Sequence, residues 1–230
     1  MSSAALQELL RGHKVHRPRL PRALPPPLWG LGELAGRLVE LSAPPDGASA
    51  RLTAAVALVL EAQRQGEPVA WIAADQGSFY PPDLDASGVD LAALAVIRVA
   101  TRAVPRAPRG ALRDETAARR QALSAADRLL RSGAFGLVVL ELGALRELPL
   151  AAQTRLAGLA QRHDSALLCL TSRAAEPGSL GSLISLHASA TRRPMADGRF
   201  CCELTVLKDK RRGPGWRERA EGYRGPPGLR

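Results

Sequence analysis

The chain has 230 residues, 46% hydrophobic and 3% aromatic, which suits one domain with a sizeable core built from Ala and Leu. Its net charge of +10 comes far more from Arg than from Lys; it suits a phosphate-bearing or acidic partner, and equally a GC-rich coding sequence. Three cysteines (Cys169, Cys201, Cys202) form no disulfide framework and share no metal-ligand spacing with the four histidines, and apolar runs of about ten residues are too short to cross a bilayer; a reducing cytoplasm is expected, with no membrane.

In chain order, residues 3–10 suit a short amphipathic helix with Leu6, Leu9 and Leu10 on one face. The charges that follow, without an apolar stretch, make no signal peptide. Arg11 to Pro27 is rich in Arg and Pro and ends in Pro25–Pro27, which forbids helix, so 1–27 reads as an exposed arm: a linker, or a segment that docks on a partner. Residues 28–36, with Leu28, Trp29, Leu31 and Leu34, read as a packed lead-in. A strand is expected from Arg37 to Leu41, then a tight turn and a helix over 51–64 that Gly66 ends. Further strands are expected over 68–73 and 94–99, with a short helix at 83–87 between them. Residues 101–113 read as a mobile Arg/Pro loop, and Asp114 caps a helix running to Arg131. Phe135 to Leu142 is the most hydrophobic strand and belongs inside the sheet. A helix at 150–162 and a strand at 165–171 follow, then strands near 184–192 and 199–208 around a turn at 195–198. Residues 209–230 read as a basic tail beyond a core of 28–208. Alternating strands and helices imply an α/β fold: a mostly parallel sheet covered on both faces, with an antiparallel edge hairpin.

Residues 36–53 have the strand–turn–helix layout of a P-loop without its chemistry. A working loop, Gly-x-x-x-x-Gly-Lys-Ser/Thr, closes backbone N–H groups around phosphate, neutralises it with Lys and holds Mg²⁺ with the hydroxyl. Here the glycine positions are Ala43 and Ala48, the Lys position is Ser49 and the hydroxyl position is Ala50; Gly47 is the one glycine left in the turn. The loop is degenerate, or this is an ordinary strand–turn–helix.

The order of elements resembles the core of RecA recombinases, and so do local stretches: Gly36-Arg-Leu-Val-Glu-Leu before the loop, Arg131 to Glu141 as helix end and Walker B strand, and Leu186 to Arg193 with Leu204 to Lys210 as the last core strands. More closely, the chain is similar to the degenerate RecA-like family called ImuA, or SulA-like, in Leu28-Trp29, Val69-Ala-Trp-Ile-Ala, Tyr80 to Leu91, Leu130-Arg-Ser-Gly-Ala, and Leu207-Lys with the basic Gly-Pro stretch after it. The resemblance implies a RecA-like three-layer α/β/α core and a role in the bacterial SOS response. It implies binding to RecA, and to ImuB beside an error-prone polymerase, in translesion synthesis.

Set against that pattern, Glu141 stands at the Walker B position, Asp75 is the nearest acid to the water-activating Glu, Asp83 replaces the adenine-stacking Tyr, and Thr171-Ser172-Arg173 replaces the allosteric Gln. Tyr80 reads as a packing residue. Without phosphate loop, Lys, hydroxyl or adenine platform, no nucleotide, metal or other cofactor is expected and no catalytic residue is assigned. Lys208 and Lys210 match the RecA lysines that reach a neighbour's ATP and, by strand alternation, share a face, so they and the Leu6/Leu9/Leu10 patch are the candidate partner contacts. Arg211, Arg212, Trp216, Arg217 and Arg219 in the tail suit single-stranded DNA by charge and stacking, or a protein partner. The alternatives are a DNA-dependent ATPase or recombinase paralogue with an atypical P-loop and, from the SulA-like label alone, a cell-division inhibitor.

Overall fold

A computed structural model describes residues 29–44, 48–74, 77–99, 110–173, 178–197 and 199–223, with the backbone alone for 74, 110–115 and 221–223. The Leu6/Leu9/Leu10 helix, the Arg/Pro arm, Gly47, Asp75 and most of the 101–113 loop lie outside them.

Most strands are short and apolar, and the longer helices carry one apolar stripe, so the stable arrangement is a sheet with helices on both faces. The order is α1 (Leu31–Leu34), β1 (Leu38–Ala43), α2 (Arg51–Arg64), β2 (Val69–Ala74), α3 (Pro81–Ala86), β3 (Leu94–Val99), α4 (Gly110–Ser132), β4 (Leu137–Gly143), α5 (Leu150–Arg162), β5 (Ala166–Ser172), β6 (Leu186–Pro194), β7 (Phe200–Asp209) and β8 (Arg217–Tyr223). The eight strands form one sheet in the order β3-β2-β4-β5-β1-β6-β7-β8. All pairings from β3 to β6 are parallel, whereas β6–β7 and β7–β8 are antiparallel.

Strand alternation assigns the two faces. Val39 and Leu41 of β1 join Leu34, Ala55, Leu58 and Leu84 in a cluster under α1, α2 and α3, here the front. Leu38 of β1 joins Leu167, Ala126, Leu130 and Leu156 in a second cluster under α4 and α5, the back. Burial of Trp71, Leu58, Leu130, Leu140 and their neighbours supplies most of the stabilisation, at roughly 1.5–3 kcal/mol for each large side chain. Among the described residues no helix is long and apolar enough to cross a membrane.

Three readings need correction. Helix α4 begins at Gly110, so Asp114 lies inside it and is not its cap. Tyr80 is 58% exposed at the start of α3 and does not pack. Residues 217–223, read as part of a basic tail, are strand β8, paired with β7 through Thr205↔Arg217 and Glu203↔Arg219. The Gly/Pro stretch before them is the turn of a hairpin, with Gly213 and Gly215 at positive φ.

Candidate functional site

Because β1, β2, β4 and β5 run parallel, their carboxyl ends share one rim. The chain leaves β1 and β2 toward front helices and β4 toward a back helix, so the connections part at this rim, the place where open α/β sheets bind their ligands. The described ends of the loop whose layout resembles a P-loop, Ala43 and residues 48–50, lie on this rim.

The loop's backbone is committed to the sheet. Ala50 N–H donates to Ala190 O at 3.3 Å and Arg192 N–H donates to Ala48 O at 2.7 Å, so residues 48–50 run antiparallel beside β6, with Ser49 bridged to Thr191. Ser49 Oγ accepts from Arg51 N–H at 3.2 Å. Two donors that a phosphate-binding loop would present to an anion thus already have partners. Ala43 and Ala50 are buried, while Ala48 and Ser49 are exposed.

The residue after the missing hydroxyl position reaches across the rim. Arg51 Nη1 donates to Thr171 O at 2.5 Å and to Ser172 Oγ at 2.8 Å, both at the end of β5. Burial lowers its pKa, and the negative charge of Glu141 opposes the fall. Glu141 is 6% exposed and accepts from Ser78 N–H at 3.1 Å and Ser78 Oγ at 3.3 Å. Glu141, near the end of β4, therefore holds a carboxylate on this rim, and its charge acts on the tethered Arg51 guanidinium.

Behind the same rim is a polar network that sequence reasoning missed. Glu40, Ser42, Thr171 and His187 are fully buried or nearly so on the back face. Glu40 accepts from Leu180 N–H at 2.6 Å, Thr171 Oγ1 at 2.9 Å and Arg173 Nη1 at 3.5 Å. Burial raises its pKa; those donors and the charges of Arg173 and Lys208 only partly offset the rise. His187 Nε2 meets Ser42 Oγ at 2.9 Å and faces Glu40 Oε1 at 3.9 Å, while its Nδ1 has no hydrogen-bond partner among the described residues. Burial, with Arg173 and Lys208 nearby, holds the imidazole down at about 4. A nucleophilic triad places hydroxyl and carboxylate on opposite nitrogens of the base; here both are on Nε2, and none of the three residues is exposed, so this Ser–His–Glu set is a core network. Two polar residues at alternate positions of an interior strand, Glu40 and Ser42, are the sequence signal for it, since a buried charge needs partners.

Glu40 holds down the chain between β5 and β6. Leu148 N–H donates to Leu180 O at 2.8 Å, and Gln153 accepts from Leu183 N–H at 3.0 Å. Lys208 Nζ donates to Gly181 O at 3.0 Å and to Ser179 Oγ and Ser182 O at 3.3 Å. Lys208 is thus turned inward, and burial followed by the nearby Lys210 charge lowers its pKa. Lys210 is exposed in the turn after β7, so the two lysines do not share a strand face.

The expected nucleic-acid contacts divide. Arg211 donates to Glu33 O and Ala35 O, each at 3.3 Å, and Arg212 pairs with Glu33 at 2.8 Å. Trp216 packs against the front cluster and donates Nε1–H to Asp209 Oδ2 at 3.1 Å, which removes it as a stacking platform. Arg217 and Arg219 stand exposed on β8. No family model matches the chain, and no curated protein matches it.

Proposed function

We propose that the chain is a non-catalytic, RecA-like interaction protein of the bacterial DNA-damage response, binding RecA and ImuB in support of error-prone translesion synthesis. The RecA-like part rests on the resemblance of the elements and is supported by the strand order and by the position of the loop at the carboxyl ends of the parallel strands. The observation that carries the non-catalytic part is the state of that loop. Its Ala50 amide donates to β6, and Arg51 reaches over to the end of β5, where a nucleotide would need both the amides and the space. Loss of the Lys contact alone removes about 1.5–3 kcal/mol of charge-assisted binding.

Two measurements on the purified full chain test this. Titration with a fluorescent ATP analogue and Mg²⁺ is expected to give no saturable binding. Binding to RecA, with and without ATP analogue and single-stranded DNA, is expected to be positive, and to weaken on charge reversal at the exposed Lys210. Saturable Mg-ATP binding would favour the ATPase alternative, for which the carboxylate of Glu141 speaks. Absence of RecA binding in every condition would sink the interaction reading.

A further inference from the structure

The last three strands form a wing whose two faces differ. On the front, Cys202, Leu204, Val206 and Trp216 pack into the core. On the back, the apolar cluster beneath α4 and α5 contains no side chain of β6, β7 or β8. Alternation and register bring Arg193, Glu203, Arg217 and Arg219 to this back face, with Glu203 opposite both Thr191 and Arg219. Arg193 pairs with Glu203 at 3.3 Å and Arg217 at 3.9 Å, yet the two guanidinium side chains remain 65% and 69% exposed. Arg219 Nε donates to Cys201 Sγ at 2.9 Å, which lays its stem across the strand and leaves the residue exposed.

We propose that this face, three arginines around one carboxylate, docks the phosphate backbone of single-stranded DNA. The net positive charge suits a polyanion. Among the described residues no large exposed hydrophobic side chain lies on the wing, so these residues offer no apolar anchor of the kind a protein hot spot needs. Strand geometry puts Arg217 and Arg219 about 7 Å apart and spreads the patch over about 10 Å from β6 to β8. That span accommodates one backbone. Among the described side chains no aromatic ring lies on this face, so binding reads charge and not base. The choice of DNA over RNA rests on the damage-response reading above.

The test is fluorescence anisotropy of a labelled oligothymidylate of about 20 nucleotides with the full chain across a salt series. Three contacts predict a slope of log affinity on log salt of about −2, hence a fifteen- to twentyfold loss between about 50 and 200 mM. The triple variant Arg193→Gln, Arg217→Gln, Arg219→Gln is expected to lose most of the low-salt affinity and of the slope. Arg211→Gln with Arg212→Gln, which alters the pinned arginines, is expected to leave both in place. Glu203→Gln, which removes the competing carboxylate without touching the arginines, is expected to tighten binding and guards against a triple variant that fails to fold. Unchanged binding in a folded triple variant, or weaker binding by Glu203→Gln, overturns the proposal. A tenfold preference for oligouridylate overturns the assignment to DNA. Arginine-dependent binding by a chain that does not bind RecA would leave the wing standing and remove the damage-response reading.

Discussion

Two carboxylates, Glu40 at the middle of the sheet and Asp209 at the end of β7, are both buried, and the structure moves them in opposite directions. Burial raises Glu40. Burial would raise Asp209 as well, but the Arg211 amide, the Arg37 guanidinium and the Trp216 indole together hold it below its ordinary value. The difference is one of contact. Arg37 Nη2 lies 2.6 Å from Asp209, while the nearest guanidinium to Glu40, that of Arg173, is at 3.5 Å and also serves Arg146 O and Gly178 O. Removal from water does not by itself decide whether an acid is stabilised as an anion; the donors in direct contact do, led at Asp209 by the Arg211 amide and followed by Arg37 and Trp216.

Breaking the stronger site should have the largest effect. Asp209→Ala strands Arg37, which is 3% exposed, and is expected to cost about 3–5 kcal/mol in urea unfolding; a loss under about 1 kcal/mol would mean that water reaches the arginine. The imidazole beside Glu40 comes next. Its folded value of about 4 lies below its ordinary 6.5, so the folded state binds fewer protons and stability falls as pH drops through that interval, by about 3 kcal/mol in all. His187→Gln should flatten the wild-type fall in urea midpoint between pH 6.5 and 4, and an unaltered slope would place the acid sensitivity elsewhere.

Gly181→Ala perturbs the segment that Glu40 holds. A Cβ there would overlap the Gln153 carboxamide, which is fixed by hydrogen bonds to Leu148 O and from Leu183 N–H, so about 1–3 kcal/mol is expected, with the Arg37–Asp209 pair untouched. The smallest effect is also the sharpest comparison. Asp209, with a lowered value, contributes stability above its ordinary pKa that is lost as pH falls through the folded value. Glu40, with a raised value, carries a penalty above its folded value that is relieved as pH falls toward 4.5. Relative to wild type, Asp209→Asn should therefore be worse at neutral than at acid pH, and Glu40→Gln better at neutral than at acid pH. Parallel pH trends in the two variants would contradict the contrast.

The parallel part of the sheet was legible because its signals are local. Apolar periodicity alone places α2 at 51–64, β3 at 94–99 and α5 at 150–162, and each is found there. Strand β8 was not legible, because Arg217-Glu-Arg-Ala-Glu carries charge where a strand usually shows an apolar alternation. Cross-strand pairing and the bond from Trp29 N–H to Glu218 at 2.7 Å hold it. The site divides the same way. The missing Lys and hydroxyl can be read from Ser49 and Ala50, but nothing local says that Arg51 reaches Thr171, 120 positions away, or that Glu40 meets Leu180 at a separation of 140. Buried polar networks are long-range by construction, and a window along the chain cannot see them.

The bond between Trp29 and Glu218 spans 189 positions, and the Arg37–Asp209 pair spans 172. During synthesis from the N-terminus, β1 has neither neighbour until β5 and β6 emerge, and Arg37 stays without its counter-ion until β7 is complete. Such separations make folding slow, since distant strands must meet before their contacts contribute. A chain halted before residue 209 leaves the ribosome with a bare guanidinium and an open sheet edge, the kind of surface that chaperones bind and proteases remove.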